Sequence, residues 1–151
     1  MTRLEKQPVS SDQAPKALGP YSAGIRLGSL VFTAGQLGII PATGDLAPGG
    51  IEAETRQALE NIRAILLAAG TSMEQVVKTT VFLRDMNDFT RMNAIYADFF
   101  TPPFPARSTI QVAAVPKGGA VVIEAIAVIA EEAQKGSFHL AASLCHRTLL
   151  Q

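Results

Sequence analysis

Residues 120–129 constrain this chain more than any other segment. One alternating set holds Val121, Ile123, Ala125, Ala127 and Ile129; the other holds Val122, Ile126 and Val128, with Glu124 as its interruption. Successive side chains of a strand point to opposite faces of its sheet, so a strand apolar in both sets asks to be covered on both sides. The rest of the sequence supplies only two substantial helices, enough for one face of a sheet. The other face needs a partner, and the simplest is a second copy of the same chain. Patterning alone therefore predicts an α+β fold and a homo-oligomer.

Periodicity and punctuation place the other elements. Residues 25–27 and 30–33 are rich in β formers, with Gly28-Ser29 as a two-residue hairpin turn. Gly19-Pro20-Tyr21 precedes them, and Pro48-Gly49-Gly50 closes the loop that follows. Thr55, Leu59, Ile62, Leu66 and Ala69 recur at helical spacing, with Glu54, Arg56, Glu60 and Arg63 outside the stripe and Gly70 as the stop. Ser72 and Gln75 have capping-box spacing. Residues 76–84 read as a strand with Val77, Val81 and Leu83 on one face. Asn87 or Asp88 is placed to cap a second helix with the stripe Phe89, Met92, Tyr96 and Phe99, ended by Pro102-Pro103. A strand over 108–114 leads through Pro116-Lys117-Gly118-Gly119 to the final strand. The expectation is one domain over residues 1–130, with its core at about 14–129, and a C-terminal extension over 131–151. In that extension Phe138, Ala141, Leu144, Cys145 and Thr148 could form a weak amphipathic helix.

Charge and cysteine usage exclude several function classes. Thirteen basic residues balance thirteen acidic ones and no Lys/Arg run occurs, which argues against nucleic acid or an anionic membrane as partner. Cys145 is the single cysteine, so no internal disulfide forms and a reducing compartment fits. The polar, Pro-containing start lacks an apolar signal core, and the chain is expected in the cytoplasm. His139, Cys145 and His146 lack metal-site spacing, and both histidines lie far along the chain from Ser108 and Thr109. Neither a zinc site nor a Ser-His hydrolase is expected.

One residue invites a chemical role. Arg107 is the only charged residue between Asp98 and Lys117, and it follows the stiff run Pro102-Pro103-Phe104-Pro105. A guanidinium in apolar surroundings needs an anionic partner, and its planar fork matches a carboxylate. Two readings stand side by side: a small carboxylate ligand, or a structural ion pair with Glu124 or another acid. Asn93 falls near the apolar side of its helix, where an amide ordinarily satisfies a neighbouring backbone. Tyr21 is a rigidly presented aromatic, and Glu124 must be paired or at a site edge.

Together the motifs Gly19-Pro20-Tyr21-Ser22, Phe32-Thr33-Ala34-Gly35-Gln36, Val77-Lys78-Thr79-Thr80-Val81, Asn93-Ala94-Ile95-Tyr96, Phe104-Pro105-Ala106-Arg107-Ser108 and Ile123-Glu124-Ala125 resemble the RidA/YjgF family. The resemblance runs from about residue 14 to 129 in unbroken order. It implies a chorismate mutase-like mixed sheet with two helices on one face, and a homotrimer forming a central barrel with ligand clefts between subunits. It implies hydrolysis of C=N bonds without metal or organic cofactor. Reactive imines and enamines released by pyridoxal-phosphate enzymes, such as 2-iminobutanoate and 2-iminopropanoate, would become 2-keto acids and ammonia. Arg107 matches the family's carboxylate-binding arginine, and Tyr21, Gly35, Asn93 and Thr109 match positions that line the cleft.

The sequence departs from the family pattern at three places. Ala34 stands where many members have Ser, and Thr109 where a Cys is frequent. Val122 replaces the first of two glutamates; Glu124 matches the second, roughly 6.5–7 Å along the same face, and is the remaining candidate for positioning water. These departures keep open an alternative, a trimer that binds or senses small 2-keto or amino acids with little turnover. A ribonuclease role, also attached to such families, fits poorly with zero net charge.

Overall fold

The computed structural model describes residues 3–130. Its strands are β1 (Gln7–Val9), β2 (Gly24–Leu27), β3 (Leu30–Thr33), β4 (Gln36–Leu37), β5 (Val76–Leu83), β6 (Ala106–Gln111) and β7 (Val121–Val128). Helix α1 (Ile51–Ala68) precedes β5, and helix α2 (Phe89–Tyr96) joins β5 to β6. All seven strands form one mixed sheet in the order β1-β2-β3-β7-β5-β6, with β4 also pairing with β7. Only β5 and β6 run parallel, as the helical crossover between them allows. β1 and β4 are short additions that periodicity did not mark.

The strand with two apolar faces sits at the centre. β7 pairs with β3 and β4 on one side and with β5 on the other. Its residues Val121, Ile123, Ala125 and Ala127 are buried against Leu59, Ile62 and Leu66 of α1 and Met92 of α2, so both helices cover this face. Val122, Glu124, Ile126 and Val128 point the other way and are only half-buried. The register continues that second face outward: Leu30 lies opposite Val128, Phe32 opposite Ile126, Phe82 opposite Val122 and Ile110 beside Phe82. Leu30, Phe32 and Ile110 are 38%, 37% and 46% exposed. Among the described residues the two helices cover one face only, and an apolar stripe spanning four strands is left open.

Several local expectations are corrected. Val76 pairs with Ala127 and Lys78 with Ile126, so Val77 is the extra residue of a β-bulge and is exposed. The core set of β5 is Val76, Thr79, Val81 and Leu83. Glu54 lies inside rather than outside the helical stripe, because its carboxylate accepts the buried Ala120 N–H at 2.9 Å. Asp88 does hold the N-cap position of α2, but its side chain makes no cap and pairs with Arg91; the capping bond belongs to the short turn before it, where Asp85 accepts from the Asn87 N–H at 2.9 Å. Ser72 makes no side-chain cap to its turn. α2 stops at Tyr96, with Phe99 buried just beyond it. β6 begins two residues before the expected 108, which sets Arg107 inside the strand, paired in register with Thr79. The residues proposed for a tail helix, and His139, Cys145 and His146, lie outside the described residues. Among the described residues no helix is long and apolar enough to cross a membrane.

The buried Asn61 has no place in an apolar stripe, and its bonds explain it. Its amide donates to the carbonyls of Leu37 (3.2 Å) and Ile39 (2.9 Å) and accepts from Gln57 (2.9 Å), tying the end of β4 and the segment after it to α1. Replacing it with leucine would leave two carbonyls unpaired, each costing about 1–3 kcal/mol. Asn61→Leu is expected to lower unfolding stability by at least about 2 kcal/mol in urea titration at fixed protein concentration. An unchanged midpoint would show that water reaches these carbonyls.

Candidate functional site

Arg107 owes its surroundings to the register of β6. It pairs with Thr79, whose side chain is buried toward the helices, so Arg107 projects to the same face and meets α2. Phe89, Asn93 and Tyr96 occupy positions i, i+4 and i+7 of that helix and form one stripe. All three touch the guanidinium. Its Nη1 donates to Asn93 Oδ1 at 2.7 Å, and its central carbon lies 4.6 Å from the Tyr96 ring centroid and 5.6 Å from that of Phe89. The amide of Asn93 therefore serves the arginine and not a loop backbone.

Among the described residues the structural ion pair weighed for Arg107 does not form. The ion pairs among the described residues are Arg56–Asp98, Arg63–Glu60 and Arg91–Asp88. Glu124 pairs in register with Thr80, one residue on from Thr79, and so projects from the opposite face of the sheet. A half-buried cation held by one neutral amide and two aromatic faces keeps most of its donors for something else. Beside it Thr109, on the same face of β6, has a buried hydroxyl with no hydrogen-bond partner among the described residues.

The other candidate residues lie elsewhere on the chain. Tyr21 and Gly35 share a cavity of about 560 Å³ with Leu18, Gln36 and Leu37; Arg107, Asn93 and Thr109 do not line it. Gly35 directly follows the β3 side of the sheet, and three strand spacings, about 14 Å, separate β3 from β6. Glu124 faces a hollow of about 130 Å³ with Phe32, Lys78 and Thr80. One chain thus carries three separated groups: Arg107 with Asn93 and Thr109, Tyr21 with Gly35, and Glu124.

The departures from the family pattern also have places. Thr33 is no stand-in for a serine at position 34, because its hydroxyl accepts the Ala125 N–H at 3.0 Å on the helix side. A Cβ added at Gly35 would meet Val122 Cγ1 at 2.7 Å, so the missing side chain of Gly35 is what lets Val122 sit against it. Among the described residues no group of three His, Cys, Asp or Glu side chains could hold a metal ion.

The residue that sequence reasoning underrated is Tyr96. Its hydroxyl shares a buried hydrogen bond of 2.7 Å with Thr79 Oγ1, while its ring lies under Arg107. Burial pushes the phenol above its ordinary range, more than the Thr79 hydrogen bond and the charge of Arg107 pull it down. A raised folded-state pKa means that the neutral ring's contribution to stability is fully present below the unfolded value and lost as pH rises through the folded one. The chain has two tyrosines, so Tyr21→Phe leaves Tyr96 alone. Phenolate absorbance in that variant is expected to rise with a midpoint above the ordinary 10.0. A midpoint below 10.0 would mean that the arginine's charge outweighs burial.

Comparison with known proteins identifies the family. The family model described as Endoribonuclease L-PSP matches residues 11–129. The 2-iminobutanoate/2-iminopropanoate deaminase of Bos taurus is 50% identical over 128 residues, 85% of this chain and 93% of that protein. Among solved structures, the YjgF gene product from E. coli superposes with a TM-score of 0.77 at 46% identity, covering 81% of this chain and 98% of its own. E. coli TdcF with bound serine gives a TM-score of 0.78 at 43% identity, covering 82% and 99%. With its fold, its motifs and nearly the whole described length matched, the chain belongs to the RidA/YjgF family.

Proposed function

We propose that this protein hydrolyses 2-imino acids and their enamine tautomers, such as 2-iminobutanoate and 2-iminopropanoate, to 2-keto acids and ammonia. The observation that carries the proposal is Arg107, a half-buried cation with no acidic partner among the described residues, braced by Asn93 and two rings. A substrate carboxylate fits the free edge of the guanidinium through two charge-assisted hydrogen bonds. Water then adds to the C=N carbon, and the resulting carbinolamine expels ammonia to leave the ketone. Clamping the carboxylate fixes the position of that carbon, which is where the gain in rate arises. The deaminase name of the bovine relative and the serine bound to the TdcF relative support a small amino or imino acid as ligand.

The separation of the candidate groups supports a site completed by a second copy. In this proposal the open sheet face closes a homotrimer, and the Tyr21–Gly35 cavity or Glu124 of one copy faces Arg107 of the next. Glu124 is the one carboxylate among the open-face strand residues and is proposed to orient the water. Light scattering is expected to give three times the 16.0 kDa chain, and Phe32→Asp, which sets a charge on the open face, is expected to yield smaller species. A monomeric wild type would contradict the arrangement.

A second reading is favoured by one contact, Val122 packed on Gly35 where a glutamate would otherwise stand. With that group gone, the clamp could hold a keto or amino acid with little turnover. Pyruvate release from enzymatically generated 2-aminoacrylate separates the two. The wild type is expected to accelerate it, and Arg107→Ala to lower kcat/KM at least about 100-fold, the worth of two charge-assisted bonds. Binding of 2-oxobutanoate without acceleration would favour the sensor; no binding at all would discredit both.

A further inference from the structure

We infer that Tyr96 is a positioning residue for Arg107, its ring forming the bed on which the guanidinium lies and its hydroxyl, tied to Thr79, fixing that ring in place. The inference rests on the proposed role of Arg107 as the carboxylate clamp.

Arg107 is a long side chain on an edge strand, and a clamp must present its fork in one plane. The hydrogen bond to Asn93 fixes one nitrogen but leaves the plane free to turn about it. A second restraint comes from the ring of Tyr96, 4.6 Å beneath the guanidinium carbon. The ring face attracts the cation without a hydrogen bond to it, so ring and carboxylate can be held together.

The ring itself is held by an unusual closure. Thr79 is the residue beside Arg107 in the β5–β6 ladder, and its hydroxyl is the one bonded to Tyr96. Backbone pairing thus joins Thr79 to Arg107, a hydroxyl pair joins Thr79 to Tyr96, and the ring joins Tyr96 back to Arg107. Apolar packing alone would be met by phenylalanine at position 96. The hydroxyl adds a tether from α2 to the strand next to the clamp, and within the core it satisfies the otherwise unpaired Thr79.

Tyr96→Phe keeps the ring and cuts the tether from one side; Thr79→Val cuts it from the other; Thr79→Ser restores it. With wild type and Arg107→Ala as references, each is measured for 2-oxobutanoate affinity by calorimetry, for KM and kcat in imine hydrolysis, and for Tm. Tyr96→Phe and Thr79→Val are each expected to raise Kd and KM about three- to tenfold with kcat within about twofold, the pattern of weakened uniform binding. The double variant is expected to be no worse than either single one, since both break the same link. Thr79→Ser should return to wild-type values. Unchanged Kd and KM in a folded Tyr96→Phe, or losses that follow Tm alone, would overturn the inference. Failure of the clamp itself looks different: wild type would not bind 2-oxobutanoate, or Arg107→Ala would bind it as well as wild type does.

Discussion

β7 is hydrogen-bonded along both edges and can be reached by side chains only through its two faces. Its first face is sealed by α1 and α2, with Ile123 and its neighbours packed on Leu59, Ile62 and Met92. Its second face carries Val122, Ile126 and Val128 into a stripe continued by Leu30, Phe32 and Ile110. The position of every candidate residue follows from this division. Arg107 sits on the helix side at one edge, Glu124 on the open side at the centre, and Gly35 beyond β3, packed on Val122. A chain whose central strand needs cover on both faces, and whose polar candidates fall on different faces, is suited to share a site with its own copies.

The electrostatics of Arg107 follow from the same sheet. A carboxylate neighbour would neutralise the cation and compete with any ligand. The fold instead supplies an amide oxygen and two ring faces, which stabilise the charge without cancelling it. The phenol of Tyr96 is neutral at neutral pH, and burial raises it further, so the ring sets no competing anion beside the guanidinium. Glu124 cannot interfere within the chain, since the sheet lies between it and Arg107.

Much of this architecture was legible in the residues. The two-faced apolar strand, the helix stripe of Leu59, Ile62 and Leu66, and the Gly28-Ser29 hairpin each depend on neighbours in sequence, and each is found. The misses depend on neighbours in space. Glu54 looked external because nothing nearby in sequence tells that Ala120 needs an acceptor. Val77 looked internal because a bulge is a property of the strand pair and not of one strand. Arg107 was picked out by its isolation from other charges, yet its support by Tyr96 and Thr79 was hidden, since a tyrosine in a helix stripe and a threonine in a strand read as ordinary core. The family motifs name the candidate residues one by one, but only the fold shows them divided into three groups.

Arg107 is proposed to grip a carboxylate in a cleft finished by another copy of the chain. A crystal structure of the oligomer soaked with 2-oxobutanoate tests it most directly. The ligand carboxylate is expected within hydrogen-bond distance of the Arg107 guanidinium, with Tyr21, Gly35 or Glu124 of a neighbouring copy on its other side. A keto acid bound away from Arg107, or enclosed by residues of one copy alone, would contradict it.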